Sequence, residues 1–175
     1  MIREKIIMEY VKDKDVLDIG SIGQNKEYSL WSDIKQHAKS LTGIDIISSE
    51  EEAVVKGNIE DYNFNRKFDV VIAGDVIEHV DNQGLLLDNI KKHLKEDGVV
   101  IITTPNARWL SVLKRSNPTH MLWHDRFTLK AIVEKHSFKI VRFFYYYGNK
   151  LHYPLLTRPL IARQSMAAVC KHSDL

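Results

Sequence analysis

Asp15-Val-Leu-Asp-Ile-Gly20-Ser-Ile-Gly23 is a short apolar run broken by two glycines, and its reading decides the fold. A run of that length, carrying Val16, Leu17 and Ile19 and stopping at Gly20, suits a buried strand better than a helix. Glycines just past a strand let the chain turn sharply and let a ligand approach the backbone closely. Outward from this segment, strand and helix signals alternate. Trp31, Ile34 and Ala38 fall on one face of a helix, Ser40–Asp45 is a second strand, and Ala53–Lys56 is a third that ends in the turn pair Gly57-Asn58. Phe68–Ala73 is apolar on both faces, as in a central parallel strand. Asp81 is positioned to cap a helix whose Leu86, Leu87, Ile90 and Leu94 face a core, with Gly98 closing it. Val99–Thr103 is a fifth strand, stopped by Pro105. Thr128 is positioned to cap a helix with Leu129, Ile132 and Val133, Lys139–Tyr145 is a sixth strand and Ser165–Cys170 a seventh. Strands separated by helices predict an α/β domain with a doubly wound, mostly parallel sheet and helices on both faces.

The 175 residues suit a single domain, residues 1–175, with 44% apolar and 27% charged residues supplying one core. A net charge of +2 is dispersed along the chain, so no basic stripe signals a nucleic-acid site. Lys91, Lys92, His93 and Lys95 read as the cation-rich last turn of a helix. The one cysteine, Cys170, excludes an internal disulfide and a cysteine metal cluster, which fits a reducing cytoplasm. At the N-terminus Ile2, Ile6 and Tyr10 have helical spacing with charges between them, unlike a signal peptide. No stretch has the length of a membrane span. The oligomeric state is not encoded in any motif.

Two residues point to the ligand. Asp18 lies at the mouth of the first strand, directly before Gly20, Ser21 and Gly23. A dinucleotide would bring its pyrophosphate there, and an unpaired carboxylate repels it. A ligand with an ammonium and a sulfonium finds the same carboxylate attractive, which favours S-adenosylmethionine over a nicotinamide cofactor. Asp45 ends the second strand, near the distance of about 20 residues at which a carboxylate accepts from ribose hydroxyls in doubly wound folds. Gly57-Asn-Ile-Glu-Asp61 follows the third strand. Asn58 or Asp61 there can meet an adenine amino group with Ile59 against the ring, or the segment is simply a turn.

These segments resemble, in order, the motifs of class I S-adenosylmethionine-dependent methyltransferases: Val16-Leu-Asp-Ile-Gly, Thr42-Gly-Ile-Asp45, Gly57-Asn-Ile-Glu-Asp61, Phe68-Asp-Val-Val-Ile-Ala-Gly-Asp-Val-Ile-Glu-His79, Leu94-Lys-Glu-Asp-Gly98 and Thr103-Thr-Pro-Asn106, continuing through Phe127-Thr-Leu and Ser137-Phe138. The resemblance covers about residues 15 to 145. It implies a seven-stranded sheet with the last strand antiparallel, S-adenosylhomocysteine as product, and a cofactor site of Asp18, Gly20, Ser21 and Gly23 for the methionine part. It further implies Asp45 for the ribose, Asn58 and Ile59 for the adenine, and Gly74 and Asp75 at the end of the fourth strand. Two departures stand out. The loop reads Gly-Ser-Ile-Gly where glycine usually alternates with one other residue, and Asn58 occupies a position where aspartate is commoner.

Methyl transfer from a sulfonium needs an aligned acceptor and, for a hydroxyl, a proton acceptor. Candidates past the fourth and fifth strands are Asp75, Glu78, His79, His120 and His124, with His120 the favoured base. Met121, Leu122 and Trp123 suggest a loop folded over something apolar. Asp75, Glu78, His79 and His120 form an alternative metal set, since carboxylates one helical turn apart suit a hard divalent cation. Acidic-x-x-Glu-His followed by a later histidine is similar to metal-dependent O-methyltransferases acting on small-RNA 3′ ends and ubiquinone precursors. Metal-free relatives also carry Glu-His, and the metal is the less favoured option. Phe143–Tyr147 reads as a strand with core aromatics. The acceptor pocket is expected from loops 106–126 and 148–164, for a small molecule or glycan offering an oxygen, because Asn117-Pro-Thr-His120 is similar to methyltransferases associated with polysaccharide synthesis. A non-catalytic cofactor-binding module and a nicotinamide-dependent oxidoreductase are the alternatives; Asp18 and the lack of a Tyr-x-x-x-Lys pair argue against the latter.

Overall fold

The computed structural model describes residues 2–22, 30–108, 117–147, 150–152 and 164–173. The elements run α1 (Ile2–Val11), β1 (Asp15–Ile19), α2 (Leu30–His37), β2 (Ser40–Asp45), β3 (Val54–Lys56), β4 (Phe68–Gly74), α3 (Gln83–His93), β5 (Leu94–Pro105), α4 (Arg126–Lys135), β6 (Phe138–Tyr147), β7 (Lys150–His152) and β8 (Ser165–His172). One sheet takes them in the order β3-β2-β1-β4-β5-β8-β6-β7. The β1, β2, β3, β4 and β5 pairings are parallel, whereas β8 runs antiparallel to both β5 and β6. Seven strands are those expected, with the last antiparallel. The three-residue β7 adds an antiparallel edge to β6 inside the stretch read as a long connection.

Both faces of the central strands are covered, which is why their sequences are continuously apolar rather than alternating. Phe68, Val71 and Ala73 of β4 pack with Leu86, Leu87 and Ile90 of α3 and with Leu129 and Val133 of α4. Val70 and Ile72 point the other way, onto Ile6, Ile7 and Val11 of α1 and Leu30 and Ile34 of α2. The two-residue period of a strand therefore splits one run between two cores. Each such side chain contributes roughly 1.5–3 kcal/mol by leaving water. The aromatic run divides in the same way. Phe144 and Tyr146 enter the α1/α2 layer and Tyr145 the α3/α4 layer, as a core strand should.

Three boundaries differ from expectation. The cap of α3 is Asn82, whose side chain accepts from the Leu85 N–H at 3.1 Å, and not Asp81. The α4 cap is Asp125, which accepts from the Phe127 and Thr128 N–H groups, while Thr128 is the third helical residue and returns its hydroxyl to the cap in a capping box. The cap thus lies one residue later than expected in α3 and three residues earlier in α4, where the path of the chain brings a side-chain oxygen to the free N–H groups. Leu94, expected as the last core residue of the helix, already pairs with Phe68, and the register then skips to Val70 opposite Val99, so Gly98 lies inside a bulged strand rather than ending a helix. Lys91, Lys92 and His93 do form the last turn of α3, but Lys95 belongs to β5 and bridges Asp15 and Asp69 at 3.0 Å each. No helix among the described residues is long and apolar enough to cross a membrane.

Candidate active site

The C-terminal ends of β1, β2, β3 and β4 open into a cleft of about 830 Å³. This is the edge at which doubly wound sheets hold ligands, beside the point where strand order reverses between β1 and β4. Asp18, Gly20, Ser21, Asp45, Asn58, Ile59, Gly74 and Asp75 all line it, as does His79. Gly23 lies outside the described residues. Gly20 has a φ of +70°, and a Cβ there would come within 2.9 Å of Val76, so both conformation and space call for glycine. Sharp turning at Gly20 leaves Ile22 placed to donate its N–H to Asp45 at 3.0 Å; the other carboxylate oxygen of Asp45 accepts from Ile47 at 3.2 Å. The ribose-type carboxylate is thus already tied to the glycine loop, with lone pairs left for two hydroxyls.

Asp18 is 9% exposed. Burial pushes its carboxyl up to about 7, with Arg3 opposing and Asp45 reinforcing the rise. Arg3 reaches the cleft from α1 and pairs with Asp75. Asp75 has a φ of +55°, unusual for a non-glycine. It is held there by the Thr103 hydroxyl, which accepts from its N–H at 3.1 Å and donates to its carboxylate at 3.2 Å. Sequence reasoning missed Arg3, because its partner lies 72 positions away and Glu4 and Lys5 beside it make the arginine look like one more surface charge. Asn58 accepts from the Glu60 N–H at 3.0 Å, so its amide oxygen also performs the turn role open to it from the sequence. Ile59 is 5% exposed and anchored from behind. Asn89 of α3 donates to the carbonyls of Ile59 and Tyr62 at 2.6 and 2.8 Å.

On the opposite wall, Glu78, His79 and His120 gather with one ligating atom each within 4.8 Å of the others. The His79 and His120 rings meet edge-on at 4.6 Å, and His120 contacts the Trp123 ring at 4.5 Å. His79 Nδ1 lies 3.2 Å from the Thr119 carbonyl and 3.1 Å from its hydroxyl. Glu78 is 1% exposed, and neither carboxylate oxygen has a hydrogen-bond partner among the described residues. Burial first and the charge of Asp75 second push its carboxyl up to about 8. Burial and then His79 hold His120 below the ordinary histidine range, so it is neutral near pH 7. Asp75 does not join this group, being engaged by Arg3 and Thr103. His124 turns inward: it is 6% exposed, and its Nε2 meets Gln83 at 3.1 Å, away from the cleft. Of the acceptor loops, 109–116 and most of 148–164 lie outside the described residues.

A profile of the family described as methyltransferase domain matches residues 5–142, which carry β1 to β5, α4 and every cleft residue except Arg3. The chain is a class I S-adenosylmethionine-dependent methyltransferase domain. It is 29% identical over 118 residues to a ubiquinone biosynthesis O-methyltransferase of Rickettsia canadensis, an alignment covering 59% of this chain and 48% of that protein. The chain thus spans about half the length of the curated relatives it matches. Its fold is similar to a SAM-dependent methyltransferase from Archaeoglobus fulgidus, with a TM-score of 0.75 at 22% identity over 97% of this chain and 91% of the other. The N-methyltransferase NodS of Bradyrhizobium japonicum, in complex with S-adenosylhomocysteine, gives a TM-score of 0.72 at 14% identity over 99% and 87%.

Proposed function

We propose that this methyltransferase domain moves the methyl group of S-adenosylmethionine to a hydroxyl oxygen of a small molecule, with a glycan as the second acceptor class. The observation carrying the donor half is the buried Asp18 carboxylate facing the cleft beside Arg3. Together they offer an anion to the ammonium and sulfonium and a cation to the carboxylate of the methionine part. Asp45 takes the ribose hydroxyls, Ile59 lies against the adenine with Asn58 at its edge, and the backbone at Gly20, Ser21 and Gly74 lies along the sulfur chain. On the acceptor side, an oxygen attacks the methyl carbon in line, the carbon–sulfur bond breaks with its electron pair left on sulfur, and the acceptor proton passes to a base. His120, kept neutral by burial, is the proposed base and His79 the lip that the acceptor meets. The relatives named as ubiquinone biosynthesis O-methyltransferases support oxygen as the acceptor atom. The test is calorimetry with S-adenosylmethionine, S-adenosylhomocysteine and NAD, followed by a search for the mass gain of one methyl group across catechols, phenols and oligosaccharides. Tight NAD binding without S-adenosylhomocysteine binding overturns the donor reading. Cofactor binding with no methylated product from any acceptor leaves a non-catalytic module in its place.

A second reading rests on the orphaned atoms of the opposite wall. Both Glu78 oxygens and His120 Nδ1 are buried without partners next to His79. A carboxylate with two imidazoles fits a divalent cation of intermediate hardness. Such an ion would be held by Glu78, His79 and His120, and would supply Lewis-acid polarisation of the acceptor oxygen. Full turnover after exhaustive chelation, together with no heat on titrating Mg²⁺, Mn²⁺ or Zn²⁺, would remove it.

A further inference from the structure

Gln83 is the first residue of α3, 5% exposed, and both ends of its amide are used. Its Nε2 donates to the Ile77 carbonyl at 2.8 Å, and its Oε1 lies 3.1 Å from His124 Nε2. The assignment is forced by chemistry: a carbonyl accepts only from the NH₂ end, so the amide oxygen must face His124, and His124 must therefore carry its hydrogen on Nε2. Ile77 lies within the segment Asp75–His79, which forms one wall of the cleft. His124 closes the loop that carries Thr119, His120 and Trp123. That loop is also tied to the same wall by the Met121 N–H donating to the Glu78 carbonyl at 2.8 Å. At its far end, the His124 carbonyl accepts from Ala107 at 2.6 Å, next to the bridge between Asn106 and His124. One side chain therefore spans the two segments that bring Glu78, His79 and His120 together.

We infer that Gln83 is a positioning residue that clamps the Asp75–His79 turn to the 117–125 loop, and so fixes the acceptor side of the cleft without touching the methyl donor. The inference rests on reading that wall as the acceptor side. It explains why His124 is a histidine although it faces inward: an apolar ring of the same size has no hydrogen for the glutamine oxygen, which would then be buried unsatisfied. His124 Nδ1 is buried without a partner among the described residues, so the ring keeps its one hydrogen for Gln83. It also separates two functions in the first turn of α3. Asn82, the cap, donates its N–H to Glu60 at 2.9 Å on the adenine side, while Gln83 serves the other wall.

Four measurements test this. In the unsubstituted protein at pH 7, nitrogen-15 NMR of the histidine rings should show His124 as the Nε2–H tautomer; an Nδ1–H tautomer overturns the clamp, whatever any variant does. In Gln83→Met, which keeps the length and removes both polar ends, hydrogen exchange at the Met121 and Ala107 amides should speed up by about tenfold or more while exchange in β4 stays unchanged. Affinity for S-adenosylhomocysteine should stay within about twofold, and kcat/KM for 3,4-dihydroxybenzoate, used as a catechol probe, should fall by about tenfold or more. Unchanged exchange at Met121 and Ala107, or loss of S-adenosylhomocysteine affinity in step with the rest, overturns the inference. Should the unsubstituted protein bind S-adenosylhomocysteine yet leave the catechol unmethylated, it is the acceptor reading that fails, and the tautomer and exchange results still decide the role of Gln83.

Discussion

The roles proposed for Asp18 and Arg3 in holding the methyl donor rest on charge, and charge can be titrated. With its carboxyl raised to about 7, Asp18 is largely protonated at pH 6 and ionised at pH 8. A bound ammonium favours the ionised form, so S-adenosylhomocysteine should bind more tightly as pH rises from 6 toward 7, by a factor approaching ten per unit. The gain should level off above about 7. Asp18→Asn should bind weakly and lose this slope; calorimetry across pH 5.5–8.5 reads both. A slope that survives in Asp18→Asn removes Asp18 from the ammonium site. Arg3 gives a complementary discrimination. Removing a charge-assisted hydrogen bond costs about 1.5–3 kcal/mol, so Arg3→Met should weaken S-adenosylhomocysteine at least tenfold. Adenosine, which lacks the carboxylate, should bind the variant as well as the parent. Equal losses for both ligands would instead mean that Arg3 supports the fold of the cleft.

Among the elements, α3 does the most for the site, since Asn82, Gln83 and Asn89 hold the segments around Glu60, Ile77 and Ile59 that form or support the cleft walls. Asn89→Leu keeps the volume and leaves the carbonyls of Ile59 and Tyr62 without their donor, which should cost about 1–3 kcal/mol in chemical denaturation. Because Ile59 lines the cleft, adenosine affinity should drop as well. Its retention would show that the adenine wall stands without α3. Asp125→Ala breaks the α4 capping box and should cost about 1 kcal/mol with no effect on cofactor affinity. These elements were legible in the sequence to different degrees. The strands were readable because burial on both faces forces continuous apolar runs, as in Phe68–Ala73, and glycine and proline mark their ends. The caps were misplaced because Asp81 and Asn82, or Asp125 and Thr128, are equally good residues, and only the path of the chain decides which side chain reaches the free N–H groups. Asp18 and Asp45 were readable as cleft residues from their positions at strand ends, and Ile59 from the turn after β3. Arg3 and Gln83 were not, since each acts on a partner that folding, rather than sequence spacing, brings near. For the same reason His124, which reads as a catalytic candidate beside His120, faces inward onto Gln83.

Across the whole molecule, the two edges of the sheet treat charge in opposite ways. At the N-terminal edge Lys95 joins β1, β4 and β5 by bridging Asp15 and Asp69, and its hydrogen bond is the main reason that the Asp15 carboxyl is held down at about 2. A depressed acid stabilises the fold above its unfolded value near 4 and loses that contribution as pH falls toward 2. At the C-terminal edge Asp18 and Glu78 are buried and raised to about 7 and about 8. An unfolded chain ionises these groups from about pH 4 upward, whereas the folded one resists until 7 or 8. Their contribution to stability therefore falls as pH climbs through that window and is constant above it. The amount is at most a few kcal/mol for each group, at 1.36 kcal/mol for every tenfold change in acidity. Glu78→Gln and Asp18→Asn should accordingly melt higher than the parent at pH 8, with the difference shrinking toward pH 5, measured as Tm without ligand. Excess S-adenosylhomocysteine should recover stability in the parent and in Glu78→Gln, and much less in Asp18→Asn, because binding to the folded state alone raises its stability with ligand concentration. Variants that melt lower at pH 8 than at pH 5 relative to the parent would mean that the two carboxylates hold the fold together. The expected sign means the reverse: charges kept at some cost to folding because a ligand, and not the chain, completes them.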